Sequence, residues 1–382
     1  MSHNTLKYYR IADIYISVTG NGAYVEALCN YFRTEEVSAA SEPVLLSVIV
    51  ENDPKSVAIE ADYYSLSGKI SFNNTSYCVQ EVGYIYSVSH LFDNAKPVVM
   101  RICCTRKKNI HNWLRTLISP HSVGLGRIED KFVDSVMNYA CFLYIFAVLL
   151  LRRDKIFVHC GIVEKADAAF VMCGTGGCGK TSTLFNILQK GEYRYLAEDF
   201  GILGKDGYAY YMPKKMAVYQ SDAKYKNPDV LKALKKLPLT YRLHWKLFEL
   251  VKLNPRYRFV PEALFSEARV AKKASVHKIV YLSRVRQDAP MKSLSISIDE
   301  LCTKIRLASF RELRQLSEIL FNIRAVGNAD TRKCYPEPAK LEEAYEQLLR
   351  TILTDKPIGL LEVPLKAGPR EIANYIISDA VD

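Results

Sequence analysis

Residues 168–188 read AAFVMCGTGGCGKTSTLFNIL, an apolar strand pattern that runs into a glycine-rich loop and out into an amphipathic helix. Few other stretches constrain a chain so tightly. Closely spaced glycines let successive backbone N–H groups turn toward one anion, and a helix N-terminus adds its partial positive charge. The spacing GxxxxGK(S/T) is that of the Walker A phosphate-binding loop. It predicts that Gly174, Thr175, Gly176, Gly177, Cys178, Gly179, Lys180, Thr181 and Ser182 bind a nucleotide polyphosphate, with Lys180 on the β/γ-phosphates and the Thr181 hydroxyl on Mg²⁺. The bland alternative is an empty glycine turn. The strand Ala168–Met172 and the helix face Leu184, Ile187, Leu188 argue against it.

The strand and helix around this loop belong to a longer alternation from Lys131 onward. A long apolar helix is followed by a strand over 155–159, the strand into the loop, a helix closed by Gly191 and a strand over 193–203. Further strands are expected over 276–282 and 359–363. Helices are expected over 310–323, over 341–353 and from Gly368 onward. Residues 1–130 differ, with strand-like runs at 9–18, 44–51, 77–88 and 96–103, one helix over 23–33 and a second over 111–117 before a glycine-bearing link at 120–126. With 382 residues, two domains are the natural expectation: a smaller α+β domain over 1–130 and an α/β domain over 131–382.

Three features limit the function classes. The N-terminus lacks the basic-then-apolar layout of a secretory signal, and the longest apolar run, 139–151, is too short to cross a hydrocarbon layer, so a cytoplasmic protein without a membrane span is expected. A buried helix explains that run, with a membrane-surface helix as the alternative. The ten cysteines include no CxxC pair and read as buried thiols rather than a zinc site or a disulfide framework. Cys178 alone lies in the glycine loop, as an oxidation-sensitive group or simply as a small side chain the loop tolerates.

Beyond the loop, Tyr195-Leu196-Ala197-Glu198-Asp199 places two carboxylates at the end of an apolar strand, where open α/β sheets hold their ligands. One acid can hold the Mg²⁺ that bridges β- and γ-phosphates, while the other accepts the proton of an attacking hydroxyl. A surface turn with two acids is the alternative. His159 closes the strand before the hairpin into the loop and is the histidine nearest both motifs, although a lone strand-end histidine is often structural.

The order His159, GTGGCGKT, Glu198-Asp199, within VHCGIVEKADAAFVMCGTGGCGKTSTLFNIL and YLAEDFGIL, resembles the HPr kinase/phosphorylase family and its stand-alone small-molecule and peptide kinase relatives. The likeness is strong over about 50 residues and echoes weakly further on, at 217–219, 256–261, 281–284 and 357–363. It implies an α/β P-loop kinase core of the HPr kinase/phosphoenolpyruvate carboxykinase type preceded by the smaller α+β domain. It further implies ATP and Mg as cofactors, transfer of the γ-phosphoryl group to a serine-like hydroxyl of a small molecule or peptide, and assembly into a homo-oligomer. Residue by residue, it implies Lys180 on the phosphates, Thr181 and Asp199 on the metal, Glu198 as proton acceptor and His159 beside the transferred group. Relatives carry two aspartates; Glu198 adds a methylene that would displace the base by about 1.5 Å.

The net charge of +11 is concentrated in one segment. Residues 213–258 carry twelve Lys/Arg against Asp222, Asp229 and Glu249. Lys214, Lys215, Arg256 and Arg258 are candidates for gripping an anionic acceptor, while a solvated helical face explains the same charge. The segment is also suited to an acidic peptide, and it carries no nucleic-acid motif, so a nucleic acid is not the expected partner. Two other functions fit a phosphate loop: a non-catalytic nucleotide sensor, and a carboxykinase acting on oxaloacetate, for which no keto-acid site is legible.

Overall fold

The computed structural model describes residues 5–65, 67–81, 83–105, 128–138, 142–219, 228–250, 256–286 and 290–379. Its fold is mixed α/β and divides into two compact units, neither continuous in sequence. The first joins Met1–Ile110, Gly126–Arg153 and Leu313–Ala344; the second joins His111–Leu125, Asp154–Glu312 and Tyr345–Asp382. This differs from the single cut at 130. The expected helix 111–117 and the link 120–126 lie outside the described residues.

The first unit is built on one nine-stranded sheet. Its strands are β1 (Thr5–Ile11), β2 (Ile14–Gly20), β3 (Glu36–Val37), β4 (Leu46–Glu51), β5 (Tyr63–Tyr64), β6 (Ile70–Phe72), β7 (Ser76–Glu81), β8 (Tyr84–Ser89) and β9 (Val98–Cys104). They lie in the order β3-β1-β2-β4-β9-β8-β7-β6-β5, with β2, β4 and β9 mutually parallel. The run at 9–18 is a hairpin rather than one strand, because Ala12 and Asp13 both adopt positive φ (48° and 66°) and reverse the chain. The run at 77–88 folds back in the same way, across Gly83.

Helices α1 (Ala23–Tyr31), α2 (Ile128–Asn138) and α3 (Phe142–Leu151) belong to this unit. The last two carry contacts from beyond residue 130 into this unit. Phe132 of α2 packs edge-on against Tyr24, Phe142 of α3 meets Phe32 at a tilt, and the Tyr144 hydroxyl donates to Tyr86 Oη at 2.7 Å. The stretch 131–151 is apolar enough by length and composition to pass for a membrane span, yet every residue from Phe142 to Leu150 is buried inside the protein.

The second unit holds β10 (Lys155–Val158), β11 (Cys160–Lys165), β12 (Ala168–Gly174), helix α4 (Lys180–Leu188), β13 (Arg194–Ala197), β14 (Gly201–Gly204), β15 (Tyr208–Tyr210) and β16 (Met216–Tyr219). It continues with α5 (Pro228–Lys236), α6 (Leu239–Leu250), β17 (Arg256–Phe259), α7 (Pro261–Phe265), β18 (Lys273–Val285), β19 (Lys292–Leu294) and α8 (Ile298–Glu312). In place of one helix over 310–323, the chain ends α8 at Glu312 and starts α9 (Arg314–Val326) in the first unit, which also holds α10 (Ala329–Cys334). The helix α11 (Pro338–Leu353) carries the chain back to the second unit at Tyr345, where β20 (Ile358–Pro364) and α12 (Pro369–Asp379) close it.

The main strand path of this unit is β10-β14-β15-β18-β12-β11-β13. Its two ends are halves of one antiparallel ribbon. A single residue, His159, separates β10 from β11, and residues 198–200 separate β13 from β14, while β10 pairs with β14 and β11 with β13. Both breaks fall between the same two registers, Val158↔Gly201 and Ile162↔Ala197. The histidine and the acid pair therefore occupy matched interruptions of two neighbouring strands. The run at 193–203 is two strands because it breaks at this point.

Helix α4 packs Leu184, Phe185, Ile187 and Leu188 into a core shared with Val163, Met172, Tyr195, Leu361 and Ile372. That core fixes where the helix begins, at the end of β12. Gly191, at φ 77°, lies where the helix stops and the chain turns toward β13.

Candidate functional site

Strand β12 ends at Gly174, whose φ of 149° and close neighbours admit no side chain. An added Cβ would stand 2.8 Å from the Leu282 carbonyl oxygen of β18 and 2.7 Å from Cys178 Sγ. The loop then climbs into solvent, where Thr175, Gly176 and Gly177 are exposed, and returns through Gly179 to α4. The crest is open, since a Cβ at Gly176 or Gly177 would meet nothing within 4 Å. Lys180 lies under the crest, buried, with Nζ donating to the carbonyls of Gly174 (2.8 Å) and Thr175 (3.0 Å). The ammonium thus rests on the loop's own oxygens. Cys178 is buried too, its Sγ 3.8 Å from Lys180 Nζ, and points inward rather than toward the crest.

An arginine that sequence reasoning assigned no role fastens the loop. Arg284, near the end of β18, donates from Nε to the Cys178 carbonyl (3.1 Å) and from Nη1 to the carbonyls of Pro364 (2.8 Å) and Ala367 (3.1 Å). One planar guanidinium therefore joins the loop to the β20–α12 turn. The only signal in sequence is that Arg284 closes the weak family echo at 281–284, just past the strand expected over 276–282.

The acid pair follows β13 in a three-residue turn closed by the Phe200 N–H donating to the Glu198 carbonyl at 2.8 Å. Asp199 sits at its centre with φ 68°, a conformation non-glycine residues seldom hold and one that recurs at functional sites. The turn sends the two carboxylates apart. Glu198, buried, accepts a hydrogen bond from Thr181 Oγ1 at 2.6 Å, which joins the first turn of α4 to the end of β13. Asp199, its side chain 38% exposed, pairs with the buried Lys214 and stands 3.5 Å from Nδ1 of His159. Lys214 is held by a second tight turn, its N–H donating to the Met212 carbonyl at 2.7 Å across Pro213. Its Nζ also lies 4.9 Å from the Phe200 ring, which His159 meets edge-on from another side.

Electrostatics divide the acids as the geometry does. Burial, reinforced by the charge of Asp199, raises the Glu198 carboxyl to about 7, with Thr181, Lys214 and Lys180 opposing. For Asp199, burial works the other way from its neighbours, and Lys214, His159 and Lys180 prevail, holding it ionised down to about 2. Burial and then Lys180 depress the His159 imidazole to about 4 against the pull of Asp199, so it is neutral at pH 7. Neither ring nitrogen of His159 makes a hydrogen bond among the described residues, although its backbone N–H donates to Ser309 Oγ at 3.1 Å. The Tyr345 hydroxyl donates to the Phe157 carbonyl (2.7 Å), and its oxygen lies 3.1 Å from Ser309 Oγ. These two side chains hold the His159 break from behind, and sequence reasoning did not find them.

Of the residues of the sequence reading, Lys180 contacts the loop itself, Thr181 meets Glu198, and Asp199 meets His159 and Lys214, the last two groups joined through the Glu198-Asp199 turn. Lys214 enters as the partner of Asp199 rather than as a free cation. Arg256 and Arg258 lie on β17, paired with β16; the Arg256 side chain is outside what is described. Lys215 is half-buried beside Lys214. The donor set suits a hard cation: Thr181 Oγ1 and Glu198 Oε1 are both oxygens, adjacent and next to the glycine loop. Among the described residues no three His, Cys, Asp or Glu side chains form a metal-holding group. The chain matches no protein-family model and no curated protein.

Proposed function

We propose that the second unit is an ATP- and Mg²⁺-dependent phosphotransferase that moves a terminal phosphoryl group to a hydroxyl of a small molecule or peptide, as the resemblance to the HPr kinase group implies. The observation that carries this reading is the 2.6 Å contact between Thr181 and Glu198, seventeen residues apart, at the mouth of an open glycine loop. A metal-bridged nucleotide needs these partners together: N–H groups and a lysine for the phosphates, a hydroxyl and a carboxylate for the cation.

In this reading Lys180 exchanges the carbonyls of Gly174 and Thr175 for phosphate oxygens, a stronger charge-assisted partner. Thr181 and Glu198 are the residues that would hold Mg²⁺, which when bound would neutralise charge on the phosphates. The roles of the two acids are thus exchanged relative to the family pattern. Asp199, ionised and aimed by Lys214, takes the proton as the acceptor oxygen forms its bond to the terminal phosphorus and the bond to the departing diphosphate breaks. Lys214 then faces the transferred group with its positive charge, and neutral His159 offers a ring N–H beside it. The longer side chain of Glu198 is absorbed by its reach to Thr181.

Binding of a fluorescent ATP analogue and ADP release by the full chain test this. Wild type binds in Mg²⁺, and Lys180→Ala weakens binding by at least about tenfold. Asp199→Asn keeps binding but loses about 100-fold or more of turnover with an accepted hydroxyl. Absence of triphosphate binding, or indifference to Lys180→Ala, overturns the proposal. A nucleotide sensor is the second reading, favoured by the buried Lys214 that occupies Asp199; it requires binding without turnover and no effect of Asp199→Asn on bound nucleotide.

A further inference from the structure

Helix α6 presents Leu239, Leu243, Leu247 and Leu250 to solvent, exposed by 61%, 57%, 56% and 80%. At 3.6 residues per turn these four fall within an arc of about 80° and run about 16 Å along the helix. Single exposed leucines are ordinary, but a contiguous stripe of this kind marks an interaction surface. The opposite side of α6 is anchored: Trp245 is buried and stacks on Tyr257 of β17, ring centroids 5.3 Å apart. That anchor prevents the helix from rolling its leucines inward. The preceding helix α5 is seated in the same way by Val230 and Ala233, with Asp229 paired to Arg269, and exposes Lys232, Lys235 and Lys236. Arg242 and Lys246 are exposed on α6 itself.

We propose that the α5–α6 face is a docking surface for an acidic amphipathic helix of another protein. Charge decides the occupant. Residues 228–250 carry five Lys/Arg against Asp229 and Glu249, so a second copy of the same face would set cation against cation, whereas an acidic helix would be drawn to it. The stripe's width separates a helix from a membrane. Surface-lying membrane helices show a broad apolar face with aromatics outward. Here the stripe has the narrow spacing of a helix-to-helix seam, and Trp245 faces the core. The helix is tied to the candidate site through the chain, since Tyr257 lies on β17, and β17 pairs with β16, which begins two residues after Lys214.

The test uses the full chain without nucleotide, so its failure is separate from failure of the phosphotransfer reading. The probe is a fluorescein-labelled peptide of about 14 residues with leucines at a and d positions and glutamates at the flanks. Its comparator has lysine for every glutamate. Binding read by anisotropy is expected for the acidic peptide only and falls with added salt. It weakens at least about tenfold in Leu243→Lys/Leu247→Lys and in Lys232→Glu/Lys235→Glu/Lys236→Glu. Both variants replace exposed side chains, and unchanged circular dichroism verifies that they fold. No binding, equal binding of the lysine peptide, or indifference to both variants overturns the proposal. So does attachment to phosphatidylserine vesicles in place of the peptide, or self-association in sedimentation that Leu243→Lys/Leu247→Lys abolishes.

Discussion

Glu164 shows how one buried carboxylate can govern a hairpin. It accepts from Arg194 Nε of β13 at 2.5 Å and from the Asp167 N–H at 2.6 Å, which ties β11 both to its neighbour and to the turn into β12. That turn needs holding, because Ala166 and Asp167 both adopt positive φ. Burial alone would raise the Glu164 carboxyl, but Arg194 and the Asp167 N–H outweigh it and the folded value lies below the ordinary one. A depressed folded value means the contribution is complete above the unfolded value of about 4.3 and is lost as pH falls through the folded one. Glu164→Gln is therefore expected to lower stability to urea by about 2 kcal/mol at pH 7, the gap to wild type closing below about pH 4. A gap that stays constant into acid would remove the ion pair from the account. At this scale the sequence showed which groups can do chemistry and not how they pair. Lys214 was legible as a cation near the acids, but its partner depends on the turn at Asp199. Arg284 and Ser309 reach the site from 106 and 150 residues away, a separation that no local spacing encodes.

Elements were legible where period and length agree, and chain reversals inside an apolar run were not, whether at Ala12-Asp13 or at Gly83. Helices α1, α4 and α11 and strands β4, β18 and β20 appear close to their expected places, since each has one apolar face or a continuous buried run. The hairpins at Ala12-Asp13 and Ala166-Asp167 use alanine where glycine or asparagine is the common signal, so two strands read as one at the first of them. The glycine loop is the opposite case, where sequence and conformation coincide, and its positions are graded. Gly174→Ala combines positive φ with contacts of 2.7 and 2.8 Å to Cys178 and the Leu282 carbonyl, and is expected to destabilise by about 2–4 kcal/mol. Gly177→Ala meets nothing but must hold φ 82°, about 1 kcal/mol. Gly176→Ala meets nothing and stays within about 0.5 kcal/mol. Urea midpoints in the order 176, 177, 174 check this; a neutral Gly174→Ala would show that β12 and β18 can part at that point.

At the scale of the whole molecule the chain crosses between its two units more than once, and this decides which fragments fold. Residues 1–130 contain every strand of the nine-stranded sheet but lack α3, α9 and α10. From Phe142 to Leu150 every residue of α3 is buried, and Phe32 and Tyr86, which it contacts, are fully covered. Tyr335, just past α10, is buried as well, its ring against Phe92 and its hydroxyl donating to the Asn73 carbonyl at 2.9 Å. Each large side chain returned to water costs about 1.5–3 kcal/mol, and a handful exceeds the 5–15 kcal/mol by which a domain is stable. A fragment ending at 130 is therefore expected to show no cooperative urea transition and little near-ultraviolet circular dichroism, even though its sheet is complete in sequence. Extending it to 153 restores α3 yet still omits the segment 313–344, so its transition should come at lower urea than that of the same unit in the full chain. Cooperative unfolding of the 1–130 fragment would mean that the aromatic contacts of α3 are dispensable, and that the unit's core lies within the sheet and α1 alone.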